Sequence, residues 1–251
     1  MELNKIYNED CLVGMSAIPD KSVDMILCDL PYGTTRNKWD TVLPLGWLWD
    51  EYNRIIKDSG AIVLTAQTPF DKVLGASNIK NLRYEWIWVK PNGTGHLNAK
   101  KMPLKNHENI LVFYKKLPTY NPQFTKGNPY IQKRGRQGTN YGHDIRGYDG
   151  ITKNDGKRYP LSVQRFNKEV GLHPTQKPVE LFEYLIKTYT NENETVLDNC
   201  MGSGTTAIAA INTNRNYIGF ELDEEYYKKS IERINNHIKD KQIDLFEMLD
   251  N

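Results

Sequence analysis

Residues 195–223 read "TVLDNCMGSGTTAIAAINTNRNYIGFELD", and the order of chemical types along them sets an architecture. A short apolar run ending in Asp198 reads as a strand, Gly202 and Gly204 mark a turn, alanine and isoleucine then recur at helical spacing to Asn212, and a second strand closes on Glu221. Strand, glycine turn, helix and strand in that order form a parallel β-α-β unit. The glycines let backbone approach a ligand closely, and the first N–H groups of the helix favour an anionic group. Glu221 lies 19 residues beyond Gly202, where a ribose-binding carboxylate belongs. The unit therefore reads as a nucleoside site. Ala207 stands where a dinucleotide fingerprint needs its third glycine, which argues against a dehydrogenase. A tight strand-to-helix turn with a solvated Glu221 is the alternative reading of the same residues.

The same alternation extends outward over the chain. Strands are expected near residues 5–8, 23–28, 61–65, 85–90, 110–114, 195–198 and 217–221, and helices over 45–57, 179–189, 205–212 and 224–238. The fold class is α/β, a doubly wound, mostly parallel seven-stranded sheet with helices on both faces. Residues 117–171, rich in Gly, Asn, Tyr, Lys and Arg, carry no sustained periodicity and read as a loop-rich insertion. The expected division is 1–116 for one half of the main domain, 117–171 for the insertion and 172–251 for the cofactor-binding half.

Composition narrows the function class. With 251 residues and 39% hydrophobic content the chain can bury a sizeable core. Cys11, Cys28 and Cys200 have no paired spacing and no histidine cluster beside them, so neither a disulfide framework nor a metal site is proposed, and a reducing cytoplasm fits. No apolar run approaches the ~18 residues of a membrane span, and "MELNKIYNED" lacks the regions of a signal peptide. Net charge is only +2, yet residues 90–177 hold 17 Lys and Arg against 5 Asp and Glu. A polyanion held against one lobe would produce that asymmetry, as would a solvated face.

A second motif is "DLPYG" (residues 29–33), directly after the apolar run "VDMILC". Asp, Pro and Gly are ordinary turn residues, so a plain strand-end turn accounts for them. Its other reading depends on the rest of the chain. In order, "DLPYG", "HPTQKPVEL" (173–181), "LDNCMGSGTT" (197–206) and "YIGFELDEEYY" (217–227) resemble the beta group of DNA amino-methyltransferases, which use S-adenosylmethionine. The phrases "YEWIWVK", "NHENILVFYK" and "RYPLSVQRF" also read like that family, so the resemblance spans nearly the whole chain. It implies a Rossmann-like methyltransferase fold, double-stranded DNA as partner and a target-recognition region in the insertion. A homodimer and a restriction endonuclease partner are both compatible with it, and the sequence decides neither.

Carried over residue by residue, the resemblance puts the methionine part of the cofactor near Asp198, Gly202 and Gly204, with Cys200 and Thr205 in the same motif, and its ribose hydroxyls on Glu221. Thr175 and Lys177 are candidates for the cofactor carboxylate; Thr175 and Pro178 also suit a helix start, and the two roles are compatible. Asp10 is a candidate acceptor for the cofactor's adenine amino group or, equally, the cap of a helix starting at Cys11. In "DLPYG" the resemblance makes Asp29 and the Leu30 carbonyl the acceptors of a target amino group, Pro31 the stiffener of the turn and Tyr32 a stacking partner for a flipped base. Lys133, Arg134 and Arg136 in "QKRGRQG" suit phosphate contacts.

The chain departs from the family pattern in two places. Asn199 and Cys200 replace a Pro-Phe pair before the glycines, and Leu30 replaces the first proline of the catalytic motif. The expected reaction is methylation of adenine N6. Cytosine N4 methylation, where Ser more often occupies the Asp29 position, is the rival within the family. An inactive DNA-binding module of the same fold and an RNA or protein methyltransferase are the rivals outside it. The tryptophans, including Trp86 and Trp88 on an expected strand, read as core rather than as base-stacking groups.

Overall fold

The computed structural model describes residues 1–34, 37, 40–133, 151–169 and 176–249, with side chains described to residue 243. The chain divides into two compact units, one of Met1–Asn121 with Ser162–Asn251, the other Pro122–Leu161.

In the first unit the elements run β1 (Lys5–Tyr7), α1 (Cys11–Gly14), β2 (Val23–Cys28), α2 (Leu45–Ile55), β3 (Ile56–Ala66), α3 (Phe70–Ser77), β4 (Leu82–Thr94) and β5 (Lys105–Phe113). The second unit holds β6 (Thr125–Lys126), β7 (Tyr130–Lys133), β8 (Ile151–Asn154) and β9 (Lys157–Arg158). The first unit resumes with β10 (Val163–Arg165), α4 (Val179–Tyr189), β11 (Thr195–Asp198), α5 (Thr205–Asn212), β12 (Asn216–Phe220) and α6 (Glu224–Leu249).

The first unit's sheet has eight strands in the order β1-β12-β11-β2-β3-β5-β4-β10. Pairing is parallel from β1 to β3, antiparallel between β3 and β5 and between β5 and β4, and parallel again between β4 and β10. Every strand expected from the pattern is present. The eighth, β10, is an edge strand whose three residues alternate exposed and half-buried, so it pairs through backbone without an apolar signature. The hairpin strands of the second unit were also invisible as periodicity, because their side chains are mostly exposed and only the backbone pairs β6 with β9 and β7 with β8.

Strand alternation divides the core into two layers. Met25, Leu27, Ala61 and Val63 face Leu181, Phe182, Leu185 and Ile186 of α4 and Ala207 and Ile208 of α5. Ile26, Cys28, Ile62 and Leu64 face Leu48, Tyr52 and Ile55 of α2 and Phe70 and Leu74 of α3. Trp49, Trp86 and Trp88 are buried and Trp47 packs on the second layer, in accord with the core reading; Trp39 lies outside the described residues. Helix α3 escaped the sequence pattern because it is short, although Pro69 before it and Asp71 in its first turn are start signals. Among the described residues no helix is long and apolar enough to cross a membrane.

Candidate active site

The C-terminal ends of the parallel strands define one edge of the sheet, and four neighbouring strands each deliver a polar side chain there. Asp198 ends β11, Asp29 follows β2, Thr65 lies near the end of β3, and Glu108, on the antiparallel β5, faces the same edge from that strand's start. Neighbouring strands are about 4.8 Å apart, so these groups fall in a row along the crevice where open α/β sheets take their ligands. A cavity of about 830 Å³ opens on Asp198, Asp29 and Glu108 of that row. It is lined by Asp10, Asp29, Leu30, Pro31, Tyr32, Glu108, Gln176, Lys177, Asp198, Cys200, Gly202, Thr205 and Glu221, and its volume suits a small-molecule ligand.

At the "DLPYG" motif, Asp29 Oδ1 receives the Tyr32 hydroxyl at 2.7 Å and the hydroxyl of Thr65, while Oδ2 receives Lys177 Nζ at 2.5 Å. Lys177 also meets Glu108 Oε2 at 3.4 Å, and Lys90 pairs with Glu108 Oε1. Burial alone would lower the Lys177 pKa, but Asp29 and Glu108 outweigh it and hold the ammonium above its ordinary value. Burial likewise would raise the Glu108 carboxyl, yet Lys177 and Lys90 bring it below the ordinary range. Two carboxylates and two ammonium groups thus form one charge-balanced cluster. Burial, then the charges of Asp29 and Glu108, push the Tyr32 hydroxyl well up, so it remains a donor. The ring of Tyr32 stacks on Phe70 with centroids 5.5 Å apart, a partner absent from the sequence reading.

Asp40 shapes the turn after the motif. Its buried carboxylate accepts the backbone N–H groups of Gly33 at 2.8 Å and Thr34 at 2.9 Å. Gly33 has φ +66°, and a Cβ there would lie 2.9 Å from Val42 Cγ2, so both conformation and space require glycine.

At the glycine-turn end of the cavity, Asp198 accepts Cys200 N–H at 3.0 Å and the Thr206 hydroxyl. Burial raises its carboxyl to about 6. Glu221 accepts Gly202 N–H at 2.7 Å and Asp223 N–H at 2.9 Å; burial raises its pKa and these two bonds draw it partly back. Gly204, by contrast, does not line the cavity: it opens α5 at φ +82°, and a Cβ on it would lie 3.3 Å from Ser230 and Ile234 of α6. Asp10 caps α1, accepting Leu12 N–H at 2.9 Å on Oδ1, and also lines the cavity. Asn199, at the departure from the family pattern, is buried and accepts the Tyr52 hydroxyl at 2.5 Å.

S-adenosylmethionine fits this set of groups. Gln176 lines the cavity with a buried Oε1 that has no hydrogen-bond partner among the described residues, and buried acceptors require donors. The desolvated Asp198 carboxylate also calls for a cation. An α-ammonium group brings N–H donors and a positive charge of the kind such acceptors need.

Of the residues expected from sequence, the cavity gathers Asp10, Asp29, Leu30, Pro31, Tyr32, Lys177, Asp198, Cys200, Gly202, Thr205 and Glu221. Thr175, Arg134 and Arg136 lie outside the described residues, and Lys133 is exposed on β7 of the second unit. Sequence reasoning missed Thr65, Glu108, Lys90, Gln176 and Asp40. One signal was available for Glu108: in "NHENILVF" a carboxylate heads an apolar strand, where a lone charge would be costly to bury.

Residues 23–232 match the family model described as DNA methylase, the N6/N4 amino-methyltransferases. The chain is 32% identical to the type II methyltransferase M.BglII of Bacillus subtilis, over 89% of this chain and 67% of that protein. Against the DNA adenine methyltransferase YhdJ of Escherichia coli identity is 28%, over 93% of this chain and 83% of that one. Among solved structures, the M1.HpyAVI–SAM complex superposes with a TM-score of 0.62 at 25% identity, covering 91% of this chain and 98% of its own. The cytosine-N4-specific PvuII DNA methyltransferase shares the fold at 16% identity, with a TM-score of 0.67 over 90% of this chain and 84% of its own. With the family model spanning most of its length and the motif residues gathered at one edge of the sheet, this chain belongs to the adenine-N6/cytosine-N4 family of DNA amino-methyltransferases.

Proposed function

We propose that the protein methylates the N6 amino group of adenine in double-stranded DNA. The cofactor is S-adenosylmethionine, which supplies a methyl group on a sulfonium that is already a good leaving group. The observation that carries the reading is the loading of Asp29. Three donors, from Tyr32, Thr65 and Lys177, occupy three of the roughly four lone-pair sites of a carboxylate, and one acceptor site remains for an amino N–H. The Leu30 carbonyl takes the second N–H. Held by two acceptors, the conjugated amino nitrogen is drawn toward the pyramidal geometry that frees its lone pair. In a duplex this nitrogen is paired and stacked, so the nucleotide must be flipped out, and the Tyr32 ring lines the cavity that receives it. Lys133 of the second unit, with Arg134 and Arg136, contacts phosphates.

The carboxylate at position 29 and the likeness to an adenine methyltransferase favour adenine over cytosine. Base-resolved mapping of methylation in DNA from cells expressing the protein tests this directly. N6-methyladenine at one short sequence is the expected result; N4-methylcytosine would replace the reading with its rival, and unmodified DNA would end it.

Two predictions follow for the cofactor. Glu221→Ala should weaken binding of S-adenosylmethionine by about 1.5–3 kcal/mol, the range for hydrogen bonds to a charged group. Calorimetric titration of the folded variant measures it, and unchanged affinity would take Glu221 out of the site. The second concerns pH. Only ionised Asp198 pairs with the α-ammonium, and its carboxyl titrates at about 6 without ligand. Affinity should therefore be level between that value and the ordinary α-amino range of ~7.7, and fall as pH drops through about 6, by up to ~10-fold per unit. Asp198→Asn should bind weakly with no such slope; a wild-type profile flat from ~pH 7.5 to ~pH 5 would separate Asp198 from the ammonium.

A further inference from the structure

The hairpin joining β4 to β5 carries chemistry that the cavity does not use. Between Lys90 and Glu108 the chain has Lys100, Lys101, Lys105, His96 and His107 and no acidic residue. Lys90 is tied to Glu108, whereas Lys100 and Lys101 make no ion pair among the described residues. At the tip Leu97 is 101% exposed, and Met102 is 51% exposed.

This tip is an ordered turn. Gly95 takes φ +91° and leads into a 3-10 turn over His96–Asn98. Backbone bonds run from Asn98 N to Gly95 O at 2.9 Å, Ala99 N to His96 O at 3.1 Å and Lys101 N to Asn98 O at 2.8 Å. Thr94 pairs with Lys105 across the stem, and Leu104 lies so close over Gly93 that a Cβ there would be 2.8 Å from it. A scattered exposed leucine needs no explanation. Here the leucine is held outward by a built turn, near cations that make no ion pair among the described residues, on a stem whose base lines the cavity.

The base of the stem is Glu108, which lines the cavity and holds Lys177 against Asp29. Lys105 Nζ reaches Thr68 O at 3.4 Å, next to Gln67 on the cavity rim. The tip stands beyond Lys105, three residues from Glu108 along an extended strand, so it projects more than about 10 Å past the row of reacting groups.

We propose that this hairpin grips the duplex beside the target base, with Lys100 and Lys101 on phosphates and Leu97 entering the base stack as the nucleotide is flipped out. The inference rests on the DNA methyltransferase reading above. Charge complementarity chooses duplex DNA as the occupant, since an acid-free run of lysines matches a polyanion and an apolar tip matches the stacked interior of the duplex. Filling the gap left by the extruded base hinders its return, so Leu97 acts on the flipping step while the lysines act on binding.

Two measurements test it. On a mixed-sequence duplex, the Lys100→Ala/Lys101→Ala double variant should bind with a log–log salt slope flatter by about 1.8, or roughly 0.9 per lost contact, and with unchanged affinity for S-adenosylmethionine. On a duplex carrying the mapped methylation site, Leu97→Ala should keep the wild-type salt slope but lose on the order of 10-fold in single-turnover rate. Leu97→Phe should retain the rate, and an abasic site opposite the target base should restore it to Leu97→Ala, because an unpaired base needs no wedge. Equal slopes together with a normal Leu97→Ala rate would overturn the proposal. So would a dimer in sedimentation that Leu97→Ala converts to monomer without altering DNA binding, which would make the tip a self-association surface. A flattened slope in a protein that transfers no methyl to any DNA would instead leave the phosphate grip standing and sink the methyltransferase reading.

Discussion

Asp29→Ala is expected to slow single-turnover methyl transfer to DNA by at least on the order of 100-fold, as for loss of one preorganised polar partner, while binding of S-adenosylmethionine stays near wild type. The structure explains why the fold should survive. Lys177 keeps Glu108 at 3.4 Å, and Tyr32 and Thr65 keep each other at 2.9 Å, so the donors released by the substitution retain partners. If Asp29 only ended β2 in a turn, the variant would melt somewhat lower and transfer methyl normally. Melting temperature and transfer rate, measured on one preparation, separate the two roles; a stable protein with a normal rate would end the catalytic assignment.

Lys177→Met should have the largest effect on stability. The side chain is 6% exposed between two carboxylates, and removing one member of such a buried ion pair typically costs about 3–5 kcal/mol. The loss should depend on pH with a sign set by Glu108. In the wild type its folded pKa lies below the ordinary 4.5, so its contribution to stability is present above that value and is lost as pH falls through the lower folded one. Without Lys177, Glu108 loses the foremost of the charges that hold it down, so its folded pKa moves up and the variant has less of this stability to lose on acidification. Its deficit in melting temperature should therefore be level near neutral pH and shrink as pH falls through the ordinary carboxylate range, from ~pH 6 to ~pH 4. A constant deficit would mean that Glu108 does not sense Lys177. The same variant distinguishes the role expected from the motif from the one its contacts suggest: a large loss of cofactor affinity assigns Lys177 to the cofactor carboxylate, and retained affinity with slow transfer assigns it to holding Asp29.

Much of this protein was legible one segment at a time. Alternating and helical spacing located Val23–Cys28, Thr195–Asp198, Val179–Tyr189 and Thr205–Asn212, because which face of an element is buried is written in adjacent residues. The glycine turn, Glu221 and "DLPYG" were likewise readable, since each is a short local arrangement with its own backbone demand. Strand β10 and the hairpins of the second unit were not, because backbone pairing at an exposed edge needs no side-chain pattern.

Only the tertiary structure decided what surrounds Asp29. The order β11-β2-β3-β5 sets Asp198, Asp29, Thr65 and Glu108 side by side, and Lys177 reaches Asp29 across 148 residues of sequence. Tyr32 finds Phe70, and Gln176 comes to line the cavity while its buried Oε1 has no partner among the described residues, for the same reason. A sequence pattern states that a strand has a buried face and a polar end. Which other strand lies 5 Å away is settled by how all the elements cover one another's apolar surface, and electrostatics at that distance follows from the neighbour, not from the segment.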